Sequence, residues 1–346
     1  MSVTSELGAK ERLHAVTHSE PVDRPPFLCP GGMMNMAVTD AMDESGVAWP
    51  DAHSDSHAMA TLTQVAADVT GIENLGLPFC MTVEAEGMGA EVFFGTRETE
   101  PRVSAYIMEH IAEIDRLSGF DPHSGRAAVV AEAVRELSAT NSAGGLPVIV
   151  CLTGPISLAT SLIEPLTFYR ALRKDKDAAH RLLEISTEAI QAFGDALIAA
   201  GADAICIADP SATGELLGRP SFDAFAAPYL NDLTRHFAER DIATIVHVCG
   251  DVTSLGGTLN QLAAPVVSVD SLVKIGNVTD VAPSKAVMGN VSTYLLEYGK
   301  AETVAASALN AHRQGAAIVS PACGIGARTP ARNLRAAAEA VRTIGR

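Results

Sequence analysis

The chain has 346 residues, 47% of them hydrophobic and 19% charged, which is enough apolar material for a large buried core and is unlike a disordered chain. Twenty-five basic against forty-one acidic residues give a net charge of -16, which argues against nucleic acid or an anionic membrane as the partner. The first thirty residues carry Glu6, Glu11, Glu20 and Asp23 without an apolar h-region, and no later run is long enough to span a bilayer, so a cytoplasmic protein is expected.

The opening segment, with Leu13 and Val16 among alternating charges, predicts a short helix that the prolines from Pro21 to Pro26 terminate. A strand at Phe27-Leu28-Cys29 then runs into the turn Pro30-Gly31-Gly32 and the methionines Met33, Met34 and Met36, which either line an apolar site or fill a core. From His53 to Thr70 the residues Met59, Leu62, Val65, Ala66 and Val69 recur at helical spacing. A second apolar segment from Leu75 delivers Glu84 and Glu86 just before Gly87 and Gly89, which makes them acid/base candidates.

Beyond an irregular stretch through Pro101, helices and short strands alternate. Helices are predicted over about 126–140, 176–200, 221–240, 300–314 and 330–344, and strands over 148–152, 204–208, 242–246, 266–269, 286–289 and 316–319. These strands are short, continuous and rich in β-branched residues, as parallel strands covered on both faces should be. With the two N-terminal candidates they number eight, which predicts a (β/α)8 TIM barrel forming a single domain over 1–346, with an N-terminal extension and modest insertions. An open doubly wound sheet also alternates strand and helix, but no G-x-G-x-x-G follows the first strand.

In a barrel the active site lies at the carboxyl ends of the strands. Polar residues end otherwise apolar runs there: Thr153, Asp209, His247 with Cys249, Asp270, Asn290 and Cys323. His247 and Cys249, two apart at a strand end, face the same way and offer a nitrogen and a sulfur to a soft, tetrahedral ion such as zinc. Cys323, which also ends an apolar run and precedes a glycine, is the candidate third ligand. Cys29, Cys80, Cys151 and Cys206 sit among apolar neighbours and are read as core. The histidines other than His247 are expected at the surface.

At these residues the chain resembles the uroporphyrinogen decarboxylase superfamily, in its corrinoid-dependent methyltransferase branch, typified by methylcobamide:coenzyme M methyltransferase. The resemblance runs through Asp23-Arg24-Pro25-Pro26, Pro30-Gly31-Gly32-Met33-Met34-Asn35-Met36, Pro78 to Glu86, Thr153-Gly154-Pro155, Ala208-Asp209-Pro210, His247-Val248-Cys249-Gly250 and Pro321-Ala322-Cys323-Gly324. It implies Zn2+ held by His247, Cys249 and Cys323, and transfer of a methyl group between a corrinoid (cobalamin) presented by a separate carrier protein and a thiol of the coenzyme M kind or tetrahydrofolate.

Two alternatives are a methyl-donor:corrinoid methyltransferase of an O-demethylase system and a decarboxylase. Against the decarboxylase, Gly31-Gly32-Met33-Met34 stands where that enzyme carries arginines for its carboxylated substrate. Within this picture Met33 and Met34 would meet the corrin, Asn290 and Arg328 would bind substrate, and Glu84, Glu86 or Asp209 would take a proton or fill the fourth metal position. Arg328 and Asp209 also have structural readings, as a surface cation and as a turn cap.

Overall fold

The protein is described by a computed structural model, which covers residues 6–141 and 145–345. In chain order its strands are β1 (Leu75–Leu77), β2 (Glu91–Phe93), β3 (Arg102–Ala105), β4 (Val148–Thr153), β5 (Ala204–Ala208), β6 (Ala243–Val248), β7 (Val266–Val269), β8 (Ala286–Val291) and β9 (Ile318–Pro321). β1 and β4 to β9 form one parallel sheet in that order, with Cys151 opposite Cys206 and Ala208 opposite His247. The strand residues are almost wholly buried, which is why their sequences lack polar alternation.

The sheet curls into a barrel, and the eighth position is a stub. Around Phe27 the chain makes only an isolated parallel bridge to Val319, through Leu28 N–H to Val319 O and Val319 N–H to Pro26 O, each 3.0 Å. On its other side Glu73 N–H donates to Phe27 O at 2.9 Å, and the Asn74 side chain takes over the ladder by accepting from Cys29 N–H at 2.7 Å and donating to Cys29 O at 2.9 Å. Pro25, Pro26 and Pro30 lack the N–H groups a full strand would need, so the strand expected here is reduced to a closing seam.

Four predicted helices are observed nearly as expected, at Gly125–Thr140, Lys176–Ala200, Ala301–Arg313 and Ala331–Arg342. The one expected over 221–240 is two, Gly214–Phe225 and Ala227–Ala238. A distorted turn at Ala226 separates them, Pro228 lies in the first turn of the second, where its missing N–H costs nothing, and Gly218 kinks the first with φ +65°. The last strand lies two residues later than expected.

His53 is not at the surface but 1% exposed, packed on Trp49 and Phe79 with neither ring nitrogen bonded; burial depresses its pKa to about 3 and keeps it neutral. The irregular stretch after Glu86 contains the antiparallel hairpin β2–β3. Contacts from its connecting segment reach the loops after Phe27 and β9, so it lies over the carboxyl end of the barrel. Among the described residues no helix is long and apolar enough to cross a membrane.

Candidate metal centre

β6 ends in His247-Val248, and Cys249 follows at once, so the imidazole and the thiol leave the barrel on the same side. β9 ends at Pro321, and the next turn brings Cys323 across to them. His247 Nε2 lies 3.0 Å from Cys249 Sγ, and the two sulfurs lie 3.0 Å apart. One ligand atom from each of the three residues falls within 4.8 Å of the others. His247 is fully buried, while both thiols are partly exposed, which leaves one side of the cluster open to the mouth.

The His247 ring is fixed from behind by Ser268 Oγ, 2.9 Å from Nδ1. With Nε2 turned toward the sulfurs, Nδ1–H donates to that hydroxyl, which is the second support a ligating imidazole usually has. The hydrogen bond from Cys249 holds the Cys323 thiol down to about 5 against burial, with help from His247. Cys249 in turn is pushed up, because a second thiolate would form beside the first in a desolvated place. The pair therefore carries one negative charge readily and a second only with a cation between them. Two sulfurs and a neutral imidazole, gathered and half open, suit zinc in chemistry and in number.

Met33 reaches this centre. Its Sδ lies 3.2 Å from Cys323 Sγ and 3.6 Å from Cys249 Sγ, so the thioether forms one wall. The turn that sends it there depends on Gly32, which has φ +60° and where a Cβ would come within 2.4 Å of Cys151 Sγ. Met34 does not reach it: its side chain is fully buried in the core. Asn290 braces the neighbouring loop by donating to the carbonyls of Asp270 and Val273, each at 2.8 Å. Arg328 is turned outward, with its Nε 2.8 Å from Glu98 Oε2, and 70% of its side chain is exposed.

The predicted acids are near the mouth but engaged. Glu84 accepts from Thr153 N–H at 2.7 Å and Thr153 O–H at 2.9 Å; burial raises its carboxyl against those bonds. Glu86 pairs with Arg126, which also donates to Thr82 Oγ1 and Cys80 Sγ and lies over the Phe94 ring. Asp209, fully buried, accepts from Ile156 N–H, Ser157 N–H and Ser157 O–H at 3.1, 2.8 and 2.7 Å, capping the helix Pro155–Leu162 from outside it. Gly154 permits this, since a Cβ there would meet the Asp209 Cβ at 2.4 Å. Burial lifts the Asp209 carboxyl to about 6 even so.

Two contributors were missed in the sequence. Ser268 is a lone polar residue in the buried run Val266-Val267-Ser268-Val269, a signal that was legible. Glu100, which acts electrostatically on Cys323, had none: nothing in Glu98-Thr99-Glu100-Pro101 foretells the hairpin that carries it to the mouth.

The sequence matches the family described as Uroporphyrinogen decarboxylase (URO-D) over residues 8–344. It is 31% identical over 332 residues to the methylcobamide:CoM methyltransferase MtbA of Methanosarcina acetivorans, with 96% of each chain covered. It is also 31% identical over 337 residues to the methylcobamide:CoM methyltransferase MtaA of Methanosarcina barkeri, covering 96% of this chain and 97% of that one. Among solved structures, a methyltransferase from Methanosarcina mazei superposes with a TM-score of 0.89 at 28% identity, covering 98% of this chain and 99% of that one.

Proposed function

The chain belongs to the uroporphyrinogen decarboxylase family, and within it we propose a zinc-dependent methyltransferase that moves a methyl group between a corrinoid, carried by a separate protein, and an acceptor thiol of the coenzyme M kind. The observation that carries this reading is the His247, Cys249 and Cys323 cluster at the open end of the barrel, with its three donor atoms within 4.8 Å. The relatives named as methylcobamide:CoM methyltransferases support the methyl chemistry. We place the protein in the cytoplasm, acting as one domain.

In this proposal His247, Cys249 and Cys323 hold the ion. Zinc bound there would lower the pKa of the acceptor thiol, ordinarily about 8.5, and hold the sulfur as a nucleophile in the remaining position. Ser268 keeps the His247 ring in the ligating tautomer, and Met33 walls the cluster where the macrocycle of the methyl donor would approach. The corrinoid is substrate here: the sulfur lone pair forms the new S–CH3 bond while the Co–C bond breaks and leaves its electron pair on cobalt. Glu84 and Asp209 hold the ends of β4 and β5 in place through bonds that fill their oxygens, and Asn290 does the same for the loop after β7.

Cys323→Ala against wild type tests the proposal. Purified wild type should hold about one zinc per chain and demethylate methylcobalamin with coenzyme M, and the variant should do neither. Running the same assay with tetrahydrofolate, and in reverse from a methyl donor to cob(I)alamin, reads the acceptor and the direction. Turnover that survives chelation, with carbon dioxide released from a carboxylated substrate, would sink the methyltransferase reading in favour of a decarboxylase.

A further inference from the structure

A thiol that becomes a nucleophile must give its proton to something, and the carboxyls around the mouth differ in whether they can take it. Glu84 is filled by Thr153, Glu86 by Arg126, and Asp209 by the end of a helix. Asp270 Oδ1 accepts from Leu272 N–H at 3.0 Å, and its Oδ2 faces Gly250 N–H at 3.5 Å, so it builds its own turn.

Glu100 is different. Its polar partner is one neutral amide: Asn35 Nδ2 donates to Oε1 at 2.5 Å. Among the described residues no cation pairs with it and its second oxygen has no hydrogen-bond partner. Asn35 is itself fixed, being 1% exposed with Oδ1 accepting from Ala37 N–H at 3.0 Å. Asn35 stands two residues after Met33, whose thioether touches both metal-site sulfurs, and the Arg328–Glu98 ion pair ties the segment before Glu100 to the loop after Cys323. Asn35 and the Arg328–Glu98 pair thus hold the Glu100 segment against the loops that carry Met33 and Cys323.

We propose, on the reading that this chain methylates a thiol, that Glu100 receives the proton of the incoming acceptor: the S–H bond breaks, its electron pair stays on sulfur, and the proton passes to the free carboxylate oxygen, leaving Glu100 neutral until the product departs. Burial lifts this carboxyl to about 8, with the nearby Cys323 charge adding to the rise. Below about pH 8 the carboxyl is therefore mostly protonated, and a cation among the thiols, by opposing the second and smaller contribution, enlarges the ionised fraction that can accept. Cys323 is the titratable group that acts on Glu100, and the Arg328–Glu98 pair, two residues back along the chain, is neutral in sum. Asn35, able only to donate to Oε1, fixes the carboxyl's direction in either protonation state.

Glu100→Gln keeps the shape and an acceptor for Asn35 while removing the base. It should retain full zinc and lose on the order of a hundredfold in transfer from methylcobalamin to coenzyme M near pH 8, where the wild-type carboxylate forms, a deficit that shrinks at higher pH as free thiol ionises. Glu100→Asp should recover part of the rate. Independently of turnover, calorimetry in buffers of different ionisation enthalpy counts protons released when coenzyme M or 2-mercaptoethanol binds the zinc-loaded protein. Above about pH 8, where the wild-type carboxyl is ionised, release should be larger for Glu100→Gln, whose proton goes to solvent. Equal proton counts and equal pH profiles for wild type and Glu100→Gln would overturn the assignment, as would loss of zinc in the variant, which would make Glu100 a ligand. A wild-type protein that binds zinc but neither takes up thiol nor demethylates methylcobalamin refutes the thiol-methylation reading itself, and this assignment with it.

Discussion

Ionisable side chains collect at both ends of the barrel, and the two collections are built on opposite principles. At the amino end, Arg12 meets Asp23 through two bonds of 2.9 Å, and Arg24 meets Glu73 through bonds of 2.8 and 2.6 Å. Arg342 approaches Glu73 at 3.6 Å, and Phe27 N–H donates to it at 3.0 Å. Every carboxylate oxygen has a cationic or amide donor. At the carboxyl end, the two thiols share one readily formed charge, Glu100 leans on a neutral amide, and Asp209 is lifted to about 6. Compensated charge ties the N-terminal segment and the last helix to the barrel floor, whereas uncompensated charge waits for a ligand.

Removing the metal should separate the two ends most sharply. A strong chelator is expected to lower methyl transfer by at least about a thousandfold, and the denaturation midpoint should move little, because the three ligands lie at the rim and the floor is held independently. A large fall in melting temperature on chelation, with no turnover to lose, would instead make the cluster a structural clip.

Next in size is the floor. Glu73→Gln strips two buried or half-buried arginines of their anion and should cost about 3–5 kcal/mol in chemical denaturation, with zinc content unchanged. For Asp23, the Arg12 bonds lower the carboxyl pKa; for Glu73, burial works the other way but is outweighed by Arg24, the Phe27 N–H and Arg342 together. A carboxyl depressed in the folded state contributes stability that is present above its unfolded value, roughly 4, and is lost as pH falls through the folded value. Wild type should therefore show an acid limb below about pH 4, and Glu73→Gln should flatten part of it. An unchanged limb would mean the floor pairs contribute nothing net.

Between the floor and the rim in size comes Ser268→Ala, which removes the hydroxyl behind His247 Nδ1. Zinc affinity should fall about 10–100-fold, read by competition with a chromogenic chelator, with the fold intact. No loss would mean the ring is held by packing alone.

How much of each end could be read in the sequence follows from what kind of contact builds it. The side chains of the cluster were legible because strand ends announce themselves: an apolar run stopping at His247, another at Cys323, each followed closely by glycine. The alternation of strand and helix was legible for the same reason. The floor was not, because Arg12, Asp23, Glu73 and Arg342 are joined only by closure of the barrel, and nothing local marks Glu73 as the partner of Arg24, 49 residues away. Glu100 was hidden by the β2–β3 hairpin, whose residues Glu91, Val92 and Phe93 lie on an exposed ribbon with no core pattern to give it away. The break at Ala226 was readable from Pro228 and was overridden by the apolar spacing on either side of it.

The smallest effect is expected at Arg328, and it bears on which acceptor the rim admits. The sequence offered it as a substrate-binding residue or a surface cation, and the structure pairs it with Glu98 at the surface. A pair this exposed adds little to stability, because water screens it and two long side chains must be ordered to make it. Arg328→Ala should therefore leave the denaturation midpoint close to that of wild type. Its kinetic signature is the more telling one. If the guanidinium only steadies the hairpin, coenzyme M and uncharged 2-mercaptoethanol should respond alike, each within about twofold. If it leaves Glu98 to hold a sulfonate, KM for coenzyme M should rise about tenfold while that for 2-mercaptoethanol stays put, since only coenzyme M would lose a charge-assisted bond.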